Sequence, residues 1–423
     1  MVNKIVMRNS HDLITPTRFD VIIKYMYAKA IKNGYGTTYF RDVYKEHLRV
    51  WNGFKEYNNP DKVTFESFDS IFKKLISDIG SSGFDPEISK IPLHNNKYLL
   101  NGAHRLASAM VHNAKVHCVN GIDGRDGQLD CGYHLFERLG FDINYSDRTA
   151  IEYAKLKDNT HMVFVFPSAK GKMNNVVNIL NKHGRVVYGR KVSINEVGSF
   201  NLMRELYLGE DWAGNFQNNF FGFRHKQSLC YPSYEPTNGY LVEFDSLESS
   251  VKAKDEIRSL YNIGKHSVHI NDTHEETIRL SKLIFNKNSI HHLNNSKVVD
   301  YKVFDKCLVE FKRNIENMGL DIDDYCVGGS SPLSAYGLRE GNDLDYLHFN
   351  PTEINDSADL IHSHNTYGVG RYTLDRDEII YNPENHFYHR GVKFASLDVI
   401  KSLKENRGEP KDIVDIDLIN SLL

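Results

Sequence analysis

The run Tyr325-Cys-Val-Gly328-Gly329-Ser330-Ser331 passes from an apolar strand end straight into a turn of small residues. Arg339 and then Asp343-Leu-Asp345-Tyr follow after a short spacer. Glycine removes the Cβ obstacle, so the turn backbone of such a segment can approach phosphate oxygens. Side chains alternate between the two faces of a strand, so Asp343 and Asp345 share one face. Two hard oxygen ligands on one face suit Mg²⁺ bridged to a triphosphate. A Gly-rich turn beside a solvated acidic strand is the plainer alternative, and it is the conjunction of the two motifs that favours phosphate chemistry.

This segment resembles the signature of the polymerase-β-like nucleotidyltransferases, a Gly-Ser turn followed by Asp-x-Asp on the next strand. The resemblance implies that Gly329, Ser330 and Ser331 meet nucleotide phosphates, with Arg339 beside them. It also implies that Asp343 and Asp345 are catalytic and hold the metal. A third carboxylate on a later strand belongs to the pattern, and Asp375, Asp377 and Glu378 are its candidates here. Two basic clusters lie downstream, Tyr388-His389-Arg390-Gly391-Val392-Lys393-Phe394 and Lys404 to Lys411. They look like parts of nucleotidyltransferases of bacterial surface-polysaccharide and phosphoalcohol pathways, with Lys393 a phosphate contact. For Lys404 to Lys411 a solvated helix end, stopped by Gly and Pro, is an equal alternative.

At 423 residues the chain should hold two or three domains. With 40% hydrophobic and 25% charged residues its composition is ordinary for a soluble globular protein. A net charge of −3 supplies no basic excess for nucleic acid. No apolar stretch is long enough to span a bilayer, and the N-terminus lacks an apolar signal core. Five scattered cysteines without a Cys-x-x-Cys argue for reduced thiols and the cytoplasm. Polar stretches at Asn144-Tyr-Ser-Asp-Arg and Leu293-Asn-Asn-Ser-Lys suggest three segments, 1–145, 155–295 and 296–423.

In the first segment, Lys97-Tyr-Leu-Leu-Asn101-Gly102-Ala103-His104-Arg105 reads as a strand entering a helix rich in Ala and Leu. A helix N-terminus points N–H groups and partial positive charge outward, and Arg105 can fork onto a phosphate. The alternative is that His104 and Arg105 only open a helix. The segment resembles the ParB/sulfiredoxin superfamily, which carries Gly-x-His-Arg at this junction. The resemblance implies that the turn binds nucleotide phosphates, with His104 and Arg105 catalytic, and some members phosphorylate a small substrate such as serine. Ala103 stands where sulfiredoxins have cysteine, which argues against their reaction. Glu66, Asp69 and Glu87 are candidates for the kinase members' carboxylate. Arg18 and Lys24 are expected on a helix face, serving the fold and not a phosphate.

The middle segment opens with the strand Met162-Val-Phe-Val-Phe, a helical run from Asn174 to Lys182, and the strand Val186 to Val192. Near its end come Arg258, Gly264-Lys265-His266, Val268-His269 and an acidic helix start at Asp272 and Glu275. A histidine near basic groups can carry a phosphoryl group, with Arg258 and Lys265 stabilising the transferring charge. The segment resembles nucleoside diphosphate kinase, with its ferredoxin-like fold, and the resemblance places His269 as phosphoacceptor. It departs at the strand end, where Phe166-Pro167-Ser168 replaces Lys-Pro-Asp and an active-site lysine is missing. His266 also replaces an asparagine.

The expectation is a multidomain α+β enzyme using Mg²⁺ and ATP or another NTP. It would phosphorylate a small alcohol or amino acid and activate it as a nucleotide derivative, as in surface-polysaccharide decoration. The alternative is a nucleic-acid-associated protein with a ParB-like DNA-binding domain and an RNA- or protein-modifying nucleotidyltransferase. Expected partners are nucleotide and small acceptor, and oligomeric state is left open.

Overall fold

The computed structural model describes residues 5–56, 60–120, 130–350, 352–354, 359–368 and 370–423. The fold is mixed α+β, and the chain divides into two compact units, Met1–Asp158 and Asn159–Leu423.

The first unit contains β1 (Ile5–Asn9), α1 (Phe19–Asn33), α2 (Thr37–Asn52), α3 (Phe65–Ser82), β2 (Ile91–His94) and β3 (Tyr98–Leu99). It continues through α4 (Ala103–Val111), β4 (Lys115–Asn120), α5 (Tyr133–Arg138) and α6 (Ile143–Leu156). Its sheet has the order β1-β4-β2-β3, with β2 parallel to β4. Helix α1 is buried along most of its length, from Phe19 to Ala28, as a helix apolar on nearly every side must be. Alanines at 103, 107 and 109 let α4 pack against it. Helix α6 runs through the boundary expected at 145. The Asp142 side chain caps it by accepting from Asn144 N, so the polar stretch there begins a helix instead of a linker.

The second unit opens with β5 (Thr160–Val165), α7 (Met173–His183), β6 (Gly184–Val192), α8 (Glu196–Leu206) and α9 (Phe221–Cys230). Then come β7 (Thr237–Phe244), α10 (Leu247–Tyr261), β8 (Val268–Ile270), α11 (His274–Ile284) and α12 (Lys287–Asn295). Strands pair antiparallel throughout, in the order β6-β7-β5-β8. Every residue of β5 is buried, which its unbroken apolar run requires of an inner strand.

A second sheet is built from α13 (Lys302–Asn317), β9 (Tyr325–Val327), α14 (Ser331–Ala335), β10 (Leu344–His348), β11 (Ile361–Ser363) and α15 (Arg376–Tyr381). The hairpin β12 (His386–His389) and β13 (Val392–Ala395) and the helices α16 (Leu397–Arg407) and α17 (Pro410–Asn420) complete it. Its order is β11-β10-β9-β13-β12. Arg390 and Gly391 turn the hairpin with positive φ at both positions, 52° and 82°, the geometry of a two-residue loop between twisted strands. The two sheets belong to one compact unit. Ser289 Oγ accepts from Tyr388 N at 2.8 Å, and the Lys282 ammonium meets Asp323 at 2.8 Å in a buried pair. All five cysteines are free and buried. Among the described residues no helix is long and apolar enough to cross a membrane.

Candidate phosphate-binding sites

The turn after β9 is docked on the start of β10. Gly328 N donates to Asp345 O at 2.8 Å, and Ser331 Oγ donates to Asp343 O at 3.1 Å. Gly329 has φ +56°, and an added Cβ would lie 2.8 Å from Asp345 Cβ and Cγ. Glycine is therefore required there for conformation and for room. The two aspartates flank the buried Leu344 and are both partly exposed. Burial, and then the neighbouring Asp345, push the Asp343 carboxyl above its usual range. Asp345 meets His364 Nε2 at 3.0 Å.

Most of the turn's backbone donors are bonded within the protein. The N–H groups of Gly328, Gly329 and Ser331 are already donated, to Asp345 O, the Tyr372 hydroxyl and Gly328 O. Three of the four N–H groups of Gly328–Ser331 are thus committed within the protein, and side chains add further anion contacts. Ser330 Oγ lies 2.9 Å from Arg339 Nη2 and 3.4 Å from Lys404 Nζ. Both cations are anchored on Asp415, Arg339 through Nε at 2.5 Å and Nη2 at 2.7 Å, and Lys404 at 2.5 Å. Burial would raise the Asp415 carboxyl, but its bonds to Arg339 and Lys404 win and hold it low. Lys404 is 1% exposed, so it is not part of a solvated helix end.

Lys393 is also misplaced in the sequence reading. It is buried on β13, donates to Asp323 O, and covers the Tyr381 ring. Asp375, Asp377 and Glu378 cap and open α15 instead of lying on a strand. Asp377 is bonded to Arg376 and Glu378 to Asn382. Among the described residues no three His, Cys, Asp or Glu side chains converge as a metal cage. The chemistry of Asp343 and Asp345 nevertheless fits Mg²⁺. Two carboxylates two residues apart at the start of β10 are a donor set that this ion uses when substrate phosphates and water complete its shell.

In the first unit a cavity of about 540 Å³ opens at the start of α4, lined among others by Gly102, His104 and Arg105. Gly102 adopts φ +91°, and Arg105 bends back to Lys90 O at 3.1 Å. His104 is held by the Tyr44 hydroxyl at 2.8 Å. Burial, then Lys24, keeps it neutral by driving its pKa well below the usual histidine value. Arg18 and Lys24 are not on an idle helix face. They line the same cavity at 3% and 4% exposure. Arg18 grips Asp20 with two bonds of 2.8 and 2.9 Å, and Lys24 bridges Asp20 at 3.1 Å and His47 Nε2 at 3.0 Å. Burial alone would raise the Asp20 carboxyl; the two cations overcome it and keep the group ionised. The cavity's carboxylates are Asp20 and Glu56. Asp69 instead takes the Tyr27 hydroxyl, Arg41 and Lys73, and Glu66 and Glu87 are exposed. Spacing alone could not find Asp20, because a buried acid inside a helix is legible only once its cations are known.

In the second unit a cavity of about 470 Å³ is lined by His269, Arg258, Lys265 and His266, together with Lys226, His225, Tyr207 and Trp212. His269 sits on the edge strand β8, with the Tyr207 ring edge-on at 5.0 Å. Burial, then Lys254, pushes its pKa down to about 3. His269 Nε2 and Arg258 Nε are buried without hydrogen-bond partners, an arrangement that costs free energy until a ligand satisfies it. The structure thus gathers the three residues singled out from the sequence and adds Lys226.

No protein-family model matches this chain, and no curated protein or solved structure is significantly similar to it.

Proposed function

We propose that the protein is a kinase and nucleotidyltransferase that phosphorylates a small alcohol or amino acid and then activates it as a nucleotide derivative. Surface-glycan decoration is the pathway class this chemistry serves. The observation that carries the reading is the docking of the Gly328–Ser331 turn onto Asp343 and Asp345, with Arg339 and Lys404 meeting at Ser330. In the transfer step an acceptor phosphate oxygen bonds to the α-phosphorus of an NTP. The bond from that phosphorus to the β-bridging oxygen breaks, and its electron pair leaves on pyrophosphate. Arg339, Lys404 and Ser330 take the charge that develops on the leaving group. Asp343 and Asp345 would hold Mg²⁺, which supplies charge neutralisation when bound.

The upstream sites supply the acceptor's phosphate in this reading. The order β6-β7-β5-β8 supports a ferredoxin-like, nucleoside-diphosphate-kinase-like fold for 155–295. The α4 cavity supports a ParB/sulfiredoxin-like reading of 1–145, and 296–423 is the nucleotidyltransferase part. Incubation with each NTP, Mg²⁺ and a panel of small alcohols, amino acids and their phosphates, with products identified by mass, tests the reading. Asp343→Asn and Asp345→Asn should each abolish pyrophosphate release while leaving circular dichroism unchanged. Release at the wild-type rate in either variant would overturn it.

A further inference from the structure

Just past the end of β5 comes Phe166-Pro167-Ser168, where the resemblance to nucleoside diphosphate kinase would place a lysine. Ser168 Oγ there donates to His266 O at 2.5 Å. That backbone loop also binds the Lys226 ammonium, which donates to Lys265 O at 2.7 Å and lies 3.4 Å from His266 Nδ1. Lys226 comes from α9, a different element, yet is 6% exposed and lines the His269 cavity beside Arg258.

We infer that Lys226 is the phosphate-binding cation of this cavity, replacing from α9 the lysine absent at the strand end, and that the cavity takes a nucleoside di- or triphosphate. The inference rests on the kinase part of the reading above. Three observations carry it. Lys226 joins Arg258 and Lys265 as cations lining the cavity with the His269 imidazole. Arg258 Nε and His269 Nε2 are buried without hydrogen-bond partners, and a ligand in the cavity would supply a partner to both. The lining is also aromatic and apolar, with Tyr207, Trp212, Phe221 and Leu229, and suits the flat face of a base. Among the described residues Lys226 is bonded to no carboxylate; it contacts a carbonyl, a ring nitrogen and the Cys230 thiol, and lies 5.5 Å from the Tyr207 ring centre. Burial lowers its pKa, so an incoming phosphate is the counter-charge that this ammonium lacks.

The chain's two tryptophans allow a direct test. Trp212 lines this cavity and Trp51 lines the α4 cavity. In full-length protein carrying Trp51→Phe, fluorescence reports Trp212 alone. ATP, its β,γ-imido analogue and adenosine are titrated in turn. ATP and the analogue should change Trp212 emission saturably. Lys226→Met should weaken both about tenfold or more, as loss of a charged hydrogen bond predicts, while adenosine binding stays the same and Lys226→Arg recovers most of the affinity. Equal ATP affinity in Lys226→Met, or parallel loss of adenosine binding in both variants, would overturn the assignment. So would no Trp212 response to ATP in the parent. Failure of the kinase reading looks different, with Trp212 still reporting Lys226-dependent ATP binding while labelled γ-phosphate never reaches the protein. Pyrophosphate release at Asp343 and Asp345, measured with a pre-phosphorylated acceptor, is independent of either outcome.

Discussion

A histidine can attack phosphorus only while it is neutral, and burial keeps His269 neutral down to about pH 3. Its lone pair would form the P–N bond as the β–γ P–O bond breaks and the nucleoside diphosphate leaves with the electron pair. The proton on the other ring nitrogen then passes to solvent. Labelling of the protein by γ-phosphate should therefore stay level from pH 8 to pH 5, with adducts preserved by quenching in base. A histidine of ordinary pKa would lose labelling below about 6.5, and such a loss would show that the imidazole is solvated. The same shift has a sign for stability. The unfolded chain protonates this histidine near 6.5 and the folded one near 3, so the unfolded state binds more protons between those values. Stability should fall as pH drops through that window. His292, pushed by burial down to about 4, acts in the same direction. Thermal melts from pH 7 to pH 4.5 should show the decline, and His269→Gln should flatten it.

At the scale of elements, the C-terminal helices hold the cations of the Ser330 turn in place. Asp415 on α17 is 1% exposed and accepts from Arg339 and from Lys404 of α16. Asp415→Ala would take the carboxylate from the part-exposed Arg339 and leave Lys404 with Asp412 at 3.6 Å, and breaking a buried pair by removing one partner costs at most about 3–5 kcal/mol. Chemical denaturation should register a loss of that order, and pyrophosphate release should fall with it. Gly329→Ala tests the other side of the same junction. Its Cβ must displace Asp345 and adopt φ +56°, so transfer should be lost even where the protein remains folded. The main elements of this region were legible from sequence. Tyr-Cys-Val is a strand, the glycines are a turn, and Asp345 lies on the next strand, whose apolar alternation is readable, while Asp343 stands one residue before it. What sequence could not show is which cations reach the turn. Lys404 and Arg339 converge on Ser330 through a carboxylate on the last helix, and Lys226 reaches the His269 cavity from α9. Lys226's own bonds are to Lys265 O and the His266 ring, and it shares only the cavity with His269; such long-range placements leave no local periodicity. Lys393 misled for the same reason, since a lysine in a short strand reads as exposed until its buried carbonyl partner is known.

Across the whole molecule, the division into Met1–Asp158 and Asn159–Leu423 places the α4 cavity in one unit and the other two sites in the second. A division of labour follows for the proposed enzyme, because each half-reaction has its own phosphate contacts. Arg105 bends over the Gly102 turn, and an added Cβ at Gly102 would lie 2.8 Å from its Nη2. Its tie to protein is a carbonyl, Lys90 O, while Arg18 beside the same cavity is spent on Asp20 and Leu99 O. Arg105 is thus the guanidinium with donors to spare for an anion. Arg105→Ala should weaken nucleotide binding in the first unit by about 1.5–3 kcal/mol, the worth of a hydrogen bond to a charged group. Trp51 emission, read in a Trp212→Phe background, measures that loss. With a pre-phosphorylated acceptor, the same variant should release pyrophosphate at the wild-type rate, because Asp343, Asp345, Arg339 and Lys404 all lie in the other unit. Unchanged Trp51 titration would reduce the Gly102–Arg105 turn to a helix start. A parallel fall in pyrophosphate release would show that the two units work as one site.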